Sequence, residues 1–126
     1  MSDKKGCILI VEDEALIARC LSMDLESEGY SICGLVSTGE EAILKAKTEN
    51  PDVIFMDIHL AGEIDGIDAA KIIIKNTKIP ILFMTAFSEN ELKARTKDVQ
   101  PIGYLNKPVD IEDIKPIIET IFKRKS

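Results

Sequence analysis

The chain has no tryptophan, only 5% aromatic residues, three cysteines and no surplus of positive charge. Each scarcity removes a class of function. A net charge of -6 argues against a general nucleic-acid binder, because such a protein needs a basic face to replace the counterions of the phosphate backbone. The one basic cluster, Lys123-Arg124-Lys125, sits at the C-terminus, where cations complement the negative end of a helix. Cys7, Cys20 and Cys33 are odd in number and lack C-x-x-C spacing. They read as small buried hydrophobes in a reducing compartment, with nothing nearby to depress a thiol pKa. The apolar run Cys7 to Val11 after Lys4-Lys5 is too short for a secretory h-region, and no segment approaches the ~20 apolar residues of a membrane span. A soluble, cytoplasmic chain is expected.

What is present points to α/β. At 126 residues the chain fits one domain of the usual roughly 100–200 residues, spanning 1–126 with a core from about residue 6 to residue 122. A domain of this size buries about two-thirds of its unfolded surface. Hydrophobic residues make up 45% of the chain, so the core is aliphatic. Short apolar runs at Cys7–Val11, Val53–Met56, Ile81–Met84 and Gly103–Asn106 alternate with helical patterns. Glu14 to Glu28 places Ile17, Leu21 and Leu25 on one stripe, flanked by Leu16 and Cys20, and stops at Gly29. Tyr30 to Val36 gives a second strand. Thr38 with Glu41 opens a helix that ends near Asn50-Pro51, and Asp65 with Asp68 caps another bearing Ile67, Ala70, Ile73 and Ile74. Ser88 with Glu91 opens a weakly apolar helix to about Val99, whose only large hydrophobes are Leu92 and Val99, so a shallowly packed element is expected. Asp110 caps a final helix with Ile111, Ile114, Ile117, Ile118, Ile121 and Phe122 on one face. Pro116 requires that helix to start late or to kink. Five strand-helix alternations joined by right-handed crossovers predict a doubly wound, five-stranded parallel sheet with helices on both faces.

In such a sheet the carboxyl ends of the strands share one edge, which is where ligands bind. Glu12 and Asp13 follow the first strand, Asp57 the third, Thr85 the fourth and Lys107 the fifth. Singly, each has an ordinary explanation: a helix cap for the acids, a turn acid, a strand terminus, a loop Lys-Pro. Together and in that order they suit a divalent cation and a phosphoryl group. A positioned carboxylate can attack an activated phosphoryl donor, and Asp57 is the candidate acceptor. Its product would carry nearly two negative charges beside two more acids, which calls for a hard, oxygen-seeking ion such as Mg²⁺. Without a cation the three acids raise one another's pKa values. Lys107 can reach Asp57 and an incoming oxygen, and Thr85 offers a neutral donor opposite.

These residues resemble the receiver domains of two-component response regulators. The resemblance runs from about Gly6 to Phe122 and is carried by ILIVEDE at Ile8 to Glu14, FMDIHLAGEIDGIDAA at Phe55 to Ala70, FMTAF at Phe83 to Phe87 and GYLNKP at Gly103 to Pro108. It implies the flavodoxin-like strand order 2-1-3-4-5 and a phosphorylation switch rather than a turnover enzyme. Asp57 would accept a phosphoryl group from a sensor histidine kinase or a phosphotransfer protein. Mg²⁺ or Mn²⁺ would be bound by Asp13 and Asp57 directly, by Glu12 through water, and by the backbone carbonyl of His59. Thr85 and Lys107 would hold the phosphoryl oxygens, and Lys107-Pro108 would be a cis peptide. Thr85 and Tyr104 would be the switch pair, Tyr104 turning inward as Thr85 moves. The face made by the fourth helix, fifth strand and fifth helix would then signal to a downstream protein effector. That face is also compatible with a homodimer.

Three positions depart from the common pattern. Glu12 replaces the commoner aspartate, Ala61 stands where proline is frequent, and the loop after Asp57 carries one extra residue. Phe87 and His59, two residues beyond Thr85 and Asp57, occupy places that control the hydrolytic water, and a bulky Phe87 predicts a long-lived phosphoryl state. A haloacid-dehalogenase-like phosphatase would need a second aspartate where His59 stands, together with a cap domain. A flavin mononucleotide module would need a phosphate cradle where Glu12-Asp13-Glu14 stand. A scaffold binding partners without phosphorylation would not need the full set of five. The expected protein is a stand-alone receiver or the N-terminal part of a longer regulator.

Overall fold

A computed structural model describes residues 6–86 and 89–125, with the side chains of 89–91 and 124–125 outside the description. Strands and helices alternate: β1 (Cys7–Val11), α1 (Ala15–Ser27), β2 (Ser31–Val36), α2 (Gly39–Glu49), β3 (Val53–Asp57), α3 (Gly66–Asn76), β4 (Ile81–Thr85), α4 (Glu89–Arg95), β5 (Gly103–Asn106) and α5 (Ile111–Lys125). All strand pairs are parallel, in the order β2-β1-β3-β4-β5. The doubly wound, flavodoxin-like sheet is therefore present, and its central strands are continuous apolar runs because both faces are covered. Side chains alternate along each strand. Leu9, Val11, Ile54, Met56 and Phe83 pack toward α2 and α3, whereas Ile8, Ile10, Phe55, Leu82 and Met84 pack toward α1 and α5.

The caps follow the sequence closely. Thr38 accepts the Glu41 amide at 3.1 Å, and Asp65 and Asp68 form a reciprocal capping box. Asn50, with φ 46°, ends α2 in the left-handed region, and Gly29, with φ 98°, follows α1.

Other expectations need correction. The inward arc of α1 is Ala18, Leu21, Ser22 and Leu25, not the stripe through Ile17. Small residues there let the helix lie close to the sheet, and Leu16, Ile17 and Cys20 are turned outward. Cys20 is thus exposed, and Cys7 and Cys33 are only half-buried. Burial and a hydrogen bond with Cys7 push the Cys33 thiol up to about 12, so it stays protonated. The fourth helix stops at Arg95 and is followed by a turn over 96–99. The Ser88 cap lies outside the described residues. Finally, α5 does not start late: it begins at Ile111, immediately after Asp110, with Pro116 inside it. The absent amide leaves one carbonyl of the first turn without its helical partner, at Glu112 on the exposed side.

Candidate functional site

The parallel register brings the site residues to one edge. Asp57 closes β3 opposite Met84, and Thr85 closes β4 opposite Asn106, immediately before Lys107. The Lys107 amide donates to the Thr85 carbonyl at 2.9 Å, and the Lys107–Pro108 peptide is cis. Glu12 follows β1 and donates its own amide to Val36 O at 2.9 Å. The central strands therefore carry these residues to the edge without intervening loops.

Three carboxylates converge there, with ligand atoms of Glu12, Asp13 and Asp57 all within 4.8 Å of one another. Glu12 and Asp57 are buried, at 2% and 4% exposure, while Asp13 is exposed. Neither Glu12 nor Asp13 caps α1, whose N-cap residue Glu14 makes no side-chain cap. Instead Glu12 Oε2 accepts the Glu14 amide at 3.1 Å. The Lys107 ammonium lies 2.8 Å from both Glu12 Oε1 and Asp57 Oδ2. The Asp57 contact is a hydrogen bond. The Glu12 contact is an ion pair without that alignment, so Oε1 is a buried carboxylate oxygen with no hydrogen-bond donor. Burial pulls the Lys107 pKa down, but the direct contacts with the Asp57 and Glu12 carboxylates, and their charges, outweigh it, and the net shift is upward. One ammonium contacts two of the three acids, so negative charge is left in excess at the cluster, and an additional cation fits this donor set because all the ligands are hard oxygens.

The loop from 58 to 65 has a defined path. Ala61 bridges to Thr38, Gly62 adopts φ 97°, and the Glu63 amide donates to Glu40 Oε2 at 3.4 Å. These contacts fold the loop onto the start of α2. Gly66 closes it, donating to Ile58 O at 2.8 Å. A Cβ at Gly66 would fall 2.0 Å from the Asp57 carbonyl oxygen, so only glycine lets α3 begin against the backbone of Asp57. The motif contained that glycine, but its steric reason is visible only in three dimensions. His59 is exposed in this loop. Phe87 lies outside the described residues.

Thr85 is 1% exposed. Tyr104 is half-buried on β5 and stacks on Phe83, its register partner, with ring centroids 6.1 Å apart and 19° between the planes. Its hydroxyl hydrogen-bonds Thr96 Oγ1. Sequence reading missed Thr96, because a threonine after a short helix carries no signal of its own.

The family model for the response regulator receiver domain matches residues 8–119. The chain belongs to that family. Transcriptional regulatory protein PdtaR of Mycobacterium tuberculosis is 42% identical over 93% of this chain and 57% of its own length. The signal receiver domain of a modulated diguanylate cyclase from Desulfovibrio desulfuricans G20 has a TM-score of 0.86 and 38% identity, covering 95% of both chains. A variant of the anti-anti-sigma factor PhyR from Bartonella quintana has a TM-score of 0.81 and 33% identity, over 95% of this chain and 49% of that one. The receiver spans about half the length of the curated relatives it matches. Among the described residues no helix is long and apolar enough to cross a membrane.

Proposed function

We propose that this receiver accepts a phosphoryl group on Asp57 from a phosphohistidine of a sensor histidine kinase or phosphotransfer protein in the cytoplasm. The observation that carries the reading is the Lys107 ammonium, 2.8 Å from both buried carboxylates. A carboxylate oxygen of Asp57 attacks phosphorus in line, the N–P bond of the donor breaks, and an acyl phosphate forms. Lys107 moves with the developing charge, from the free carboxylate to a phosphoryl oxygen. Thr85, at the end of the neighbouring strand, donates its hydroxyl to another.

Glu12, Asp13, Asp57 and the His59 carbonyl would hold Mg²⁺ or Mn²⁺, which when bound neutralises the charge that accumulates between acids and phosphoryl group. Beside Lys107 and Pro108 lies a mainly apolar cavity of about 280 Å³, lined also by Leu16, Ile17 and Met84. Leu16 is 75% exposed and Ile17 40%. Outward apolar side chains next to the reacting group suit a protein donor better than a small molecule.

The switch pair is Thr85 and Tyr104, and the responding surface is α4-β5-α5, which would engage a downstream protein or a second copy. The family likeness to an anti-anti-sigma factor supports a protein partner over direct nucleic-acid contact. Incubation with acetyl phosphate and Mg²⁺ should add one phosphoryl group by intact mass. The adduct should be absent with EDTA or in Asp57→Asn. Sustained hydrolysis of the donor without an adduct would replace this reading with a phosphatase.

A further inference from the structure

Thr96 sits where α4 gives way to the connection with β5, and all its polar atoms are engaged. Its amide donates to Leu92 O at 2.9 Å, and its carbonyl accepts the amides of Val99 at 2.9 Å and Gln100 at 3.3 Å. Gln100, with φ 53°, completes the reversal toward β5. The side chain is fully buried. Its hydroxyl donates to Leu92 O at 2.8 Å, which uses its single proton. The oxygen can then only accept from Tyr104, so the phenol is the donor.

A buried threonine commonly satisfies itself on the carbonyl four residues back, and the helix end requires no more than that. The second bond is what exceeds that role. Valine would fill the same volume, so the hydroxyl's distinct effect is on Tyr104. The ring it holds stacks on Phe83, two residues before Thr85 on the same strand. Arg95, the preceding residue, reaches the other way and bonds Asp65 Oδ2 at 2.9 Å.

We propose that Thr96 is a positioning residue that keeps the ring of Tyr104 packed on Phe83, presetting the α4–β5 surface for the phosphorylated state. The coupling to phosphorylation rests on the phosphoacceptor reading of Asp57; the hold on the ring does not. Without an acceptor the half-buried phenol is better satisfied in water, so the ring leaves more often. The ring packed on Phe83 and the phosphoryl contacts of Thr85 then favour the same state, so releasing the ring weakens phosphoryl binding by linkage.

The chain has no tryptophan and two tyrosines, so Tyr30→Phe leaves Tyr104 as the sole emitter. In that background, acrylamide quenching of tyrosine emission should rise in Thr96→Val toward the value of free tyrosine, and remain at its starting level in Thr96→Ser. The apparent affinity for fluoroberyllate with Mg²⁺, a phosphoryl analogue, should fall about fivefold or more in Thr96→Val and recover in Thr96→Ser. Unchanged quenching in Thr96→Val overturns the proposal, and so does an equal rise in both variants, which would trace the effect to packing. Changed quenching with unchanged fluoroberyllate affinity overturns the coupling. If the unsubstituted protein binds no fluoroberyllate, the phosphoacceptor reading fails, and the hold on Tyr104 is decided by quenching.

Discussion

Helices α3 and α4 each follow a strand that delivers a site residue, Asp57 or Thr85, yet they are held in different ways. α3 buries Gly66, Ile67, Ala69, Ala70 and Ile73 and begins with a full capping box. Among the described residues, the connection that carries α4 is fixed by Leu92, Thr96 and Val99, one of them polar, and by the exposed Arg95–Asp65 pair. Apolar burial is broad and non-directional, so α3 moves only at the cost of the core. Hydrogen bonds and ion pairs are directional and exchange readily with water. The difference teaches where a small change at the site can become a larger one elsewhere: the Asp57 side is clamped and the Thr85 side is latched.

That contrast can be broken by experiment. The largest effect is expected from Ile73→Ala, which empties a 2%-exposed position under α3 and should cost about 2–5 kcal/mol in denaturant melts. Leu92→Ala removes a similar side chain and should cost less, because α4 can open without the rest of the core. Equal losses would mean that α4 is clamped like α3.

Lys107→Ala leaves two buried carboxylates facing one another and should lower stability by about 3 kcal/mol at neutral pH, with part of the loss recovered on adding Mg²⁺. Because the folded pKa of Lys107 is raised, its contribution is complete below the unfolded lysine value and is lost as pH climbs through the folded one. The gap between the two proteins should therefore persist to about pH 10 and close only above it. Thermal melts across pH 7 to 11 check both points.

Asp65→Ala should cost about 1 kcal/mol through the lost α3 cap. Burial raises this carboxyl's pKa, but hydrogen bonds from the Asp68 amide and from Arg95 outweigh it and the net shift is downward. Its contribution is present above the unfolded value near pH 4 and disappears as pH falls through the folded one. Urea titrations at pH 6 and pH 3 should show a smaller difference at the second than at the first. Smallest is Arg95→Ala, an exposed pair expected to contribute less than about 1 kcal/mol and to fade with added salt. Hydrogen exchange at α4 should report it better than global melting does.

Much of the site could be read in the sequence because period and order suffice for it. Four apolar runs each ending in a chemically useful residue can align those residues only if the strands are parallel. The caps at Thr38 and Asp65 were equally legible, since capping is local and uses side-chain oxygens at fixed spacing. The facing of α1 was not. Ile17 and Leu21 share a helical stripe, but the sheet selects Ala18 and Ser22 in place of Ile17, because close approach rewards small side chains. The path of the 58–65 loop was equally hidden, depending on contacts with Thr38 and Glu40 some twenty residues away.

The sequence by itself determined the alternation of elements, the strand ends and the identity of the five polar groups, all set by short-range pattern and chemistry. Only the tertiary structure decided that one ammonium bridges Glu12 and Asp57, that α3 must start with glycine against Asp57, and that Thr96 hydrogen-bonds Tyr104. Those are contacts between residues distant along the chain or across a turn. Their formation depends on which faces the packed sheet brings within a few ångströms, and no local spacing encodes that.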